Sequence, residues 1–251
     1  MEKIFYSFVT RDGYQGNSPT YFDVQHFDWA KRVEDAYPLL RKELEDFLAG
    51  GKRLWPYFDK DIVTKKNGWK TIPFMQWEVK FGKNRKAAPE VSKLIDSIPG
   101  CVSASFNQLD GDAEIIPHFG DTNAIARCHL GIIVPGNLPE LGFKVKGEKR
   151  NWEEGKLLMF CDAHEHTAWN KTGRERFIFA FDIIRPEYIG KRRKICSKVL
   201  ASLFLQSLGQ KMPFLMRMPL FLQFACYQIS IGCAYLIVPV RNLFSRIFVG
   251  N

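Results

Sequence analysis

The sequence predicts a mainly β chain with flanking helices and a hydrophobic helical C-terminal tail, and three observations carry that prediction. Between Cys101 and Ile184, short β-rich runs alternate with Gly, Asn, Asp and Pro punctuation, the pattern of a sandwich or barrel. Ahead of them, two stretches place apolar residues at helical spacing. Behind them, residues 218–240 are 23 consecutive uncharged residues, MPLFLQFACYQISIGCAYLIVPV. At 251 residues the chain suits one large domain with an appendage, and 21 Phe are enough for a well-filled core.

From the N-terminus, MEKIFYSFVTRDGYQGN turns polar too quickly for a secretory signal. DWAKRVEDAYPLLRKELEDFLAG, residues 28–50, reads as one amphipathic helix capped at Gly50-Gly51. GWKTIPFMQWEVK, residues 68–80, reads as a strand. RKAAPEVSKLIDSI, residues 85–98, reads as a second helix with Pro89 in its first turn and a stop at Pro99-Gly100. Residues 1–100 are therefore expected to be a lead-in packed on the core. The runs CVSASFNQL, AEIIPHF, AIARCHLGIIVP, GFKVKG, KLLMFC, HTAWN and RFIFAFDII make residues 101–190 the core itself. Arg185-Pro186 and KRRK at 191–194 mark its end, so truncation after about residue 190 is expected to leave a soluble, folded barrel. Six cysteines show no CxxC spacing, and five sit in apolar runs. They read as reduced thiols in a reducing, cytoplasmic setting.

The net charge of +9 is uneven: residues 191–251 hold nine Lys/Arg and no Asp or Glu, whereas residues 1–190 hold 27 of each sign. A basic chain usually points to nucleic acid. Here the basic part is also the most apolar part, which favours the surface of an anionic membrane over nucleic acid. Stretch 218–240 is long enough to span a bilayer. Gln223, Gln228, Pro219 and Pro239 interrupt it and basic residues flank both ends, so a monotopic or re-entrant anchor is preferred to a span or a soluble helical lid.

The stretch IIPHFGDTNAIARCHLGIIVP, residues 115–135, places His118, Arg127 and His129 in an otherwise apolar run. Buried ionisable groups cost several kcal/mol unless paired or ligated. His118 follows Pro117 at a strand end, as a metal ligand at a barrel mouth would. In FCDAHEHTAWN, His164 and His166 are two apart and would share a face on a regular strand, so spacing alone does not choose between them. Two-histidine, one-carboxylate iron sites use an HxD pattern. Here the sequence reads His118-Phe119-Gly120, and Asp121, three residues on, would point away.

With that glycine, PHFGDTNAIARCHLGIIVP followed by NWEEGKLLMFCDAHEHTAWNKTGRERFIFAFDIIRPE closely resembles the catalytic domain of the aspartyl/asparaginyl β-hydroxylase family. The likeness is strong over about residues 101–188, weaker upstream, and does not cover the tail. The resemblance implies a double-stranded β-helix core, a cupin-like jelly roll. It implies an enzyme dependent on Fe(II), 2-oxoglutarate and O2, with His118 and His166 as metal ligands and Gly120 at the vacant carboxylate position. It further implies a cosubstrate pocket of Arg127 and His129, Arg176 for the distal carboxylate, and Trp69 nearby. Asn107 stands where the family often has a hydroxyl residue. With the carboxylate missing, Arg127 is expected to be poorly offset beside the metal; read without the resemblance, it could pair with Asp110 or Asp112.

The family's branches hydroxylate Asp or Asn side chains of peptides, or acyl chains of membrane lipids, and a small-molecule substrate stays open beside them. The neutral core does not choose between them, whereas the basic, apolar tail (residues 191–251) favours a membrane-proximal substrate and a place at the cytoplasmic face of a membrane. The competing expectation is a non-catalytic cupin-like module that binds a metal or a partner and is anchored by its tail.

Overall fold

The computed structural model describes residues 2–10, 12–51 and 54–249, with side chains described as far as Ser245. In chain order its elements begin with α1 (Ser7–Thr10), β1 (Tyr21–Phe22), α2 (Ala30–Asp35), α3 (Tyr37–Ala49), β2 (Trp55–Pro56), β3 (Trp69–Gln76) and β4 (Val79–Lys80). Next come α4 (Gly82–Ala87), α5 (Pro89–Ser97), β5 (Cys101–Leu109), β6 (Ala113–His118), β7 (Ile125–Ile133) and β8 (Leu141–Val145). After β9 (Glu148–Arg150), β10 (Leu157–Phe160), β11 (His166–Asn170) and β12 (Arg176–Ile184), the chain ends in α6 (Arg192–Lys211), α7 (Phe214–Arg217) and α8 (Leu220–Val249). The large sheet runs β1-β10-β7-β12-β5-β3-β2, with β4 on β3, and the small sheet runs β6-β11-β8-β9. Every strand pair is antiparallel. The two sheets enclose a cavity lined from both, the double-stranded β-helix expected.

Strand parity makes the core and the cavity together, because successive side chains face opposite sides of a sheet. On β12, Phe177, Phe179, Phe181 and Ile183 join the main apolar cluster. The alternate residues Arg176, Ile178, Ala180 and Asp182 line the cavity. β7 does the same, with Ala126, Cys128, Leu130 and Ile132 in the core and Arg127 and His129 in the cavity. Helices α2, α3 and α5 cover the apolar face through Val33, Leu40, Leu44, Val91 and Ile95, so the polar parity has nowhere to point but inward.

Three expected elements divide where backbone chemistry requires it. The helix over 28–50 breaks at Ala36, because Pro38 lacks the N–H that would continue the ladder, and restarts as α3. Gly51, at φ +64°, takes the left-handed position just past the cap residue Gly50. The helix over 85–98 is α4 plus α5. Between them Ala88 is extended at φ −135°, since the residue before a proline is pushed out of the helical region. The strand over 68–80 is a hairpin whose turn residues Trp77 and Glu78 both have positive φ, 48° and 70°. β9 was not expected because all three of its residues are charged and exposed, as suits a sheet edge.

The tail is not one unit. Ile195, Cys196 and Val199 of α6 are buried with Trp77, Val102, Ile125, Ile184 and Tyr188 in a second apolar cluster. The boundary expected at 190 therefore cuts through this cluster, which argues against a soluble truncation there. Fully burying an aliphatic side chain such as Ile195 or Val199 is worth about 1.5–3 kcal/mol. A chain ending at 190 should aggregate or melt without cooperativity by calorimetry, whereas the full chain should melt cooperatively. α8 is different: its Leu220–Ser245 stretch is long and apolar enough to cross a membrane, and little of its most apolar part is buried.

Candidate active site

His118 ends β6 and His166 begins β11, and the two are direct cross-strand partners. Their rings lie 4.1 Å apart between centroids. Each Nδ1 faces a backbone carbonyl, that of Ile116 at 2.9 Å and that of His164 at 2.8 Å. A carbonyl only accepts, so each Nδ1 carries the proton and each Nε2 keeps its lone pair. Burial pushes both pKa values down, well down for His166, which keeps the rings neutral. Backbone-oriented neutral imidazoles of this kind are metal-ligand chemistry.

Asp162 supplies a carboxylate at the same place. Its Oδ1 lies 3.4 Å from His166 Nε2, so a lone pair faces an anion, an arrangement that a bound cation relieves. Among the described residues no three or more of His, Cys, Asp and Glu form a metal-holding group. The metal-type donors are thus the two imidazoles, with Asp162 alongside. Gly120 explains the missing ligand: a Cβ there would lie 1.8 Å from Asp162 Oδ2, and Gly120 N–H donates to the Asp162 carbonyl at 2.9 Å. The Asp162 carboxylate occupies the space that a side chain at 120 would need. Gly120→Ala should cost about 1–3 kcal/mol of stability through overpacking and lower activity by displacing that carboxylate. A denaturant melt and a turnover assay on one preparation check both effects.

Asp121 takes no part in this cluster. Its Oδ1 accepts from Ser7 Oγ at 2.9 Å, Ser202 Oγ at 3.1 Å and Gln206 Nε2 at 3.4 Å. His164, which strand spacing left open, lies in the turn before β11. Its ring packs against Tyr14 and its Nε2 against the Ser18 carbonyl at 2.8 Å. The two histidines do not share a face because the strand begins only at His166.

Arg127 is not left unbalanced, contrary to expectation, and its partners are neither Asp110 nor Asp112. It donates through Nε to Asp182 Oδ1 at 2.8 Å, through Nη2 to Asp182 Oδ2 at 3.1 Å, and through Nη1 to Asp162. Asp110 instead pairs with Lys70 at 2.8 Å. His129 Nδ1 accepts from Trp152 Nε1 at 3.2 Å, which puts the ring proton on Nε2 as a donor. Burial and the nearby guanidinium groups of Arg127 and Arg176 push the His129 pKa well down.

Arg176 is the most exceptional group in the cavity. It is 2% exposed, its Nε and Nη1 have no hydrogen-bond partner, and among the described residues no carboxylate pairs with it. Its guanidinium lies over the Trp152 ring, 4.4 Å from the centroid, and burial alone pushes its pKa down to about 9. An unpaired buried guanidinium is costly, and a bound carboxylate is its natural partner. Trp69 Nε1 donates to Asn107 Oδ1 at 3.1 Å, and Asn107 Nδ2 donates to Ser105 Oγ at 2.9 Å. Trp69 also stacks on Tyr57 at 3.7 Å. Every site residue expected from the sequence therefore lines one cavity of about 660 Å³. Sequence reasoning does not pick out Trp152, Tyr57 or Asp182. The NWEEGK run flanking the second histidine was the available signal for Trp152.

The family model for aspartyl/asparaginyl β-hydroxylases matches residues 34–186. The chain is 36% identical over 176 residues to an ornithine lipid ester-linked acyl 2-hydroxylase of Rhizobium tropici, an alignment covering 68% of this chain and 62% of that protein. It is 29% identical over 171 residues to the human aspartyl/asparaginyl β-hydroxylase, covering 65% of this chain and 22% of that protein. The chain thus spans less than two thirds of either relative. A Pseudomonas putida prolyl-4-hydroxylase superposes with a TM-score of 0.39 at 16% identity, over 62% of this chain and 98% of that one. With a family model matched across more than half its length, through both histidine strands, the chain belongs to the aspartyl/asparaginyl β-hydroxylase family.

Proposed function

We propose that this chain is an iron(II)- and 2-oxoglutarate-dependent dioxygenase that hydroxylates an acyl chain of a membrane lipid. The observation that carries the reading is the unpaired, buried Arg176 guanidinium in the same cavity as the His118–His166 pair. A dicarboxylate fits this arrangement, with one end held by the arginine and the other reaching a metal on the imidazoles. Iron, 2-oxoglutarate and dioxygen supply the oxidising chemistry when bound, with succinate and carbon dioxide as coproducts.

The chain's own residues orient and shield that chemistry. The Ile116 and His164 carbonyls fix the tautomers of His118 and His166, so both offer Nε2 to one cation. Asp162 places negative charge beside that cation, and Arg127 offsets the charge and holds the carboxylate in place. Arg176, stacked on Trp152, receives the distal carboxylate, and His129 Nε2–H offers a second donor. Trp69, Asn107 and Tyr57 form a rigid wall.

Two observations support a lipid substrate. The apolar α8 stands largely outside the core, and residues 191–251 carry nine basic and no acidic groups, which suits an anionic bilayer. The relative at 36% identity is named for a lipid acyl chain. A monotopic placement is supported by contacts near both ends of α8. Tyr227 Oη donates to the Lys198 carbonyl at 3.2 Å, and Asn242 Nδ2 donates to the Glu78 carbonyl at 2.6 Å. A helix held to the body at two distant points lies along it. Buried free thiols at Cys101, Cys128, Cys161 and Cys196 support a reducing compartment, and hence the cytoplasmic face.

The test is succinate release. Purified protein is loaded anaerobically with Fe(II) and 2-oxoglutarate, given oxygen, and assayed with and without vesicles containing an ornithine-headed diacyl lipid. Lipid-stimulated succinate is expected. Succinate that ignores lipid but responds to Asp- or Asn-containing peptide would move the substrate to the peptide branch. No succinate from iron-loaded protein would favour the non-catalytic module.

A further inference from the structure

The helices next to the apolar α8 also build the cavity wall. Leu203 and Gln206 of α6, Met216 of α7 and Phe8 of α1 line the same cavity as His118 and His166. Met216 is 45% exposed as well, so the cavity wall and the outer surface meet there. Phe204, Met212, Phe214, Leu220 and Phe221, from α6 to the start of α8 in the chain, are exposed apolar residues as well. The tail is also tied to the site at two points. Ser202 and Gln206 hold Asp121, three residues past His118. Arg192 binds the Glu78 carboxylate at 2.6 Å and Asn242 the Glu78 carbonyl, bracing the left-handed turn whose Trp77 lines the cavity.

We propose that α6 and α7 form an acyl-chain portal: with α8 seated in an anionic bilayer, a lipid chain passes between Phe8, Leu203 and Met216 to the His118–His166 pair. This rests on the lipid-substrate reading above. The apolar rim explains why the lipid need not leave the membrane entirely. The chain moves from hydrocarbon to apolar wall, so its transfer costs little of the solvation penalty it would meet in water. A polar peptide side chain crossing the same rim would lose hydration without compensation.

The experiment uses the full chain bound to vesicles of phosphatidylcholine and phosphatidylglycerol that contain an ornithine-headed lipid with a diazirine on its ester-linked acyl chain. After irradiation, cross-linked peptides are mapped, and lipid-stimulated succinate is measured for Leu203→Trp and Met216→Trp. Cross-links are expected at Phe8, Leu203 or Met216. Both variants should still float with vesicles while losing about tenfold or more in lipid-stimulated succinate, a loss of one decade in rate. Met216 is exposed, so its variant keeps the test open if Leu203→Trp fails to fold. Lipid-stimulated succinate in the unaltered protein, with cross-links confined to α8 and both variants at full rate, would overturn the portal and leave the substrate reading standing. Absence of lipid-stimulated succinate in the unaltered protein would overturn the substrate reading, and the portal with it.

Discussion

Arg176→Met should raise the 2-oxoglutarate KM by roughly thirty-fold to a few thousand-fold, because removing one member of a buried charge pair costs about 2–5 kcal/mol. The same substitution should make the ligand-free protein more stable. Arg176 is 2% exposed with Nε and Nη1 unpartnered, so without ligand it is a desolvated charge lacking compensation. Methionine fills a similar volume and can rest on Trp152, where the guanidinium now lies at 4.4 Å. Replacing buried ionic groups by apolar ones is neutral or stabilising by about 1–4 kcal/mol, which corresponds to a rise of several degrees in Tm at this size. Adding 2-oxoglutarate should then raise the Tm of the unaltered protein and leave the variant unmoved. A variant less stable than its parent, or one that keeps its 2-oxoglutarate affinity, would show that Arg176 is structural.

His166→Ala should abolish iron retention and lower succinate release by about three orders of magnitude, on the scale of ~4 kcal/mol of lost transition-state stabilisation. His164→Ala should leave both nearly intact. The difference follows from where the rings sit: His166 is the cross-strand partner of His118, whereas His164 Nε2 meets the Ser18 carbonyl. Losing that buried hydrogen bond should cost His164→Ala roughly 1–3 kcal/mol of stability, visible as an earlier melt. Iron content and succinate measured on both variants separate the roles, and the opposite pattern would reverse the assignment.

The strand periodicity of RFIFAFDII and AIARCHLGII made most of the barrel legible, because one parity is aromatic or aliphatic and the other carries Arg176, Asp182, Arg127 and His129. The same parity places Arg127, His129 and Arg176 in the cavity, whereas His118, His166, Trp69 and Asn107 lie on other strands and are picked out by the family resemblance. Breaks in local structure were harder to see. The splits at Ala36 and Ala88 follow from prolines that helical spacing alone does not weigh. The Trp77-Glu78 turn lacks the Gly or Asn that usually signals a left-handed hairpin, and tertiary contacts such as Ser103 Oγ accepting from Trp77 N–H help stabilise it. The partners of Arg127 were illegible for a different reason: Asp162 and Asp182 lie 35 and 55 residues away, and nothing local points to them. The α6 boundary was hidden by charge, since KRRK reads as a surface linker although Ile195, Cys196 and Val199 behind it are core.

The crowding of Gly120 against Asp162 constrains how such a site can change by mutation. A carboxylate at 120 needs the volume that Asp162 fills, so the two residues are mutually exclusive neighbours. Acquiring a third protein ligand at 120 is a two-step path: a first substitution at 120 collides with Asp162, and a first substitution at 162 strips Arg127 of a partner. Each single substitution should therefore cost stability, and the two positions should change together. Sequences that keep glycine at this position should keep the acid four residues before the second histidine, and those that gain an acid at the first should lose it at the second.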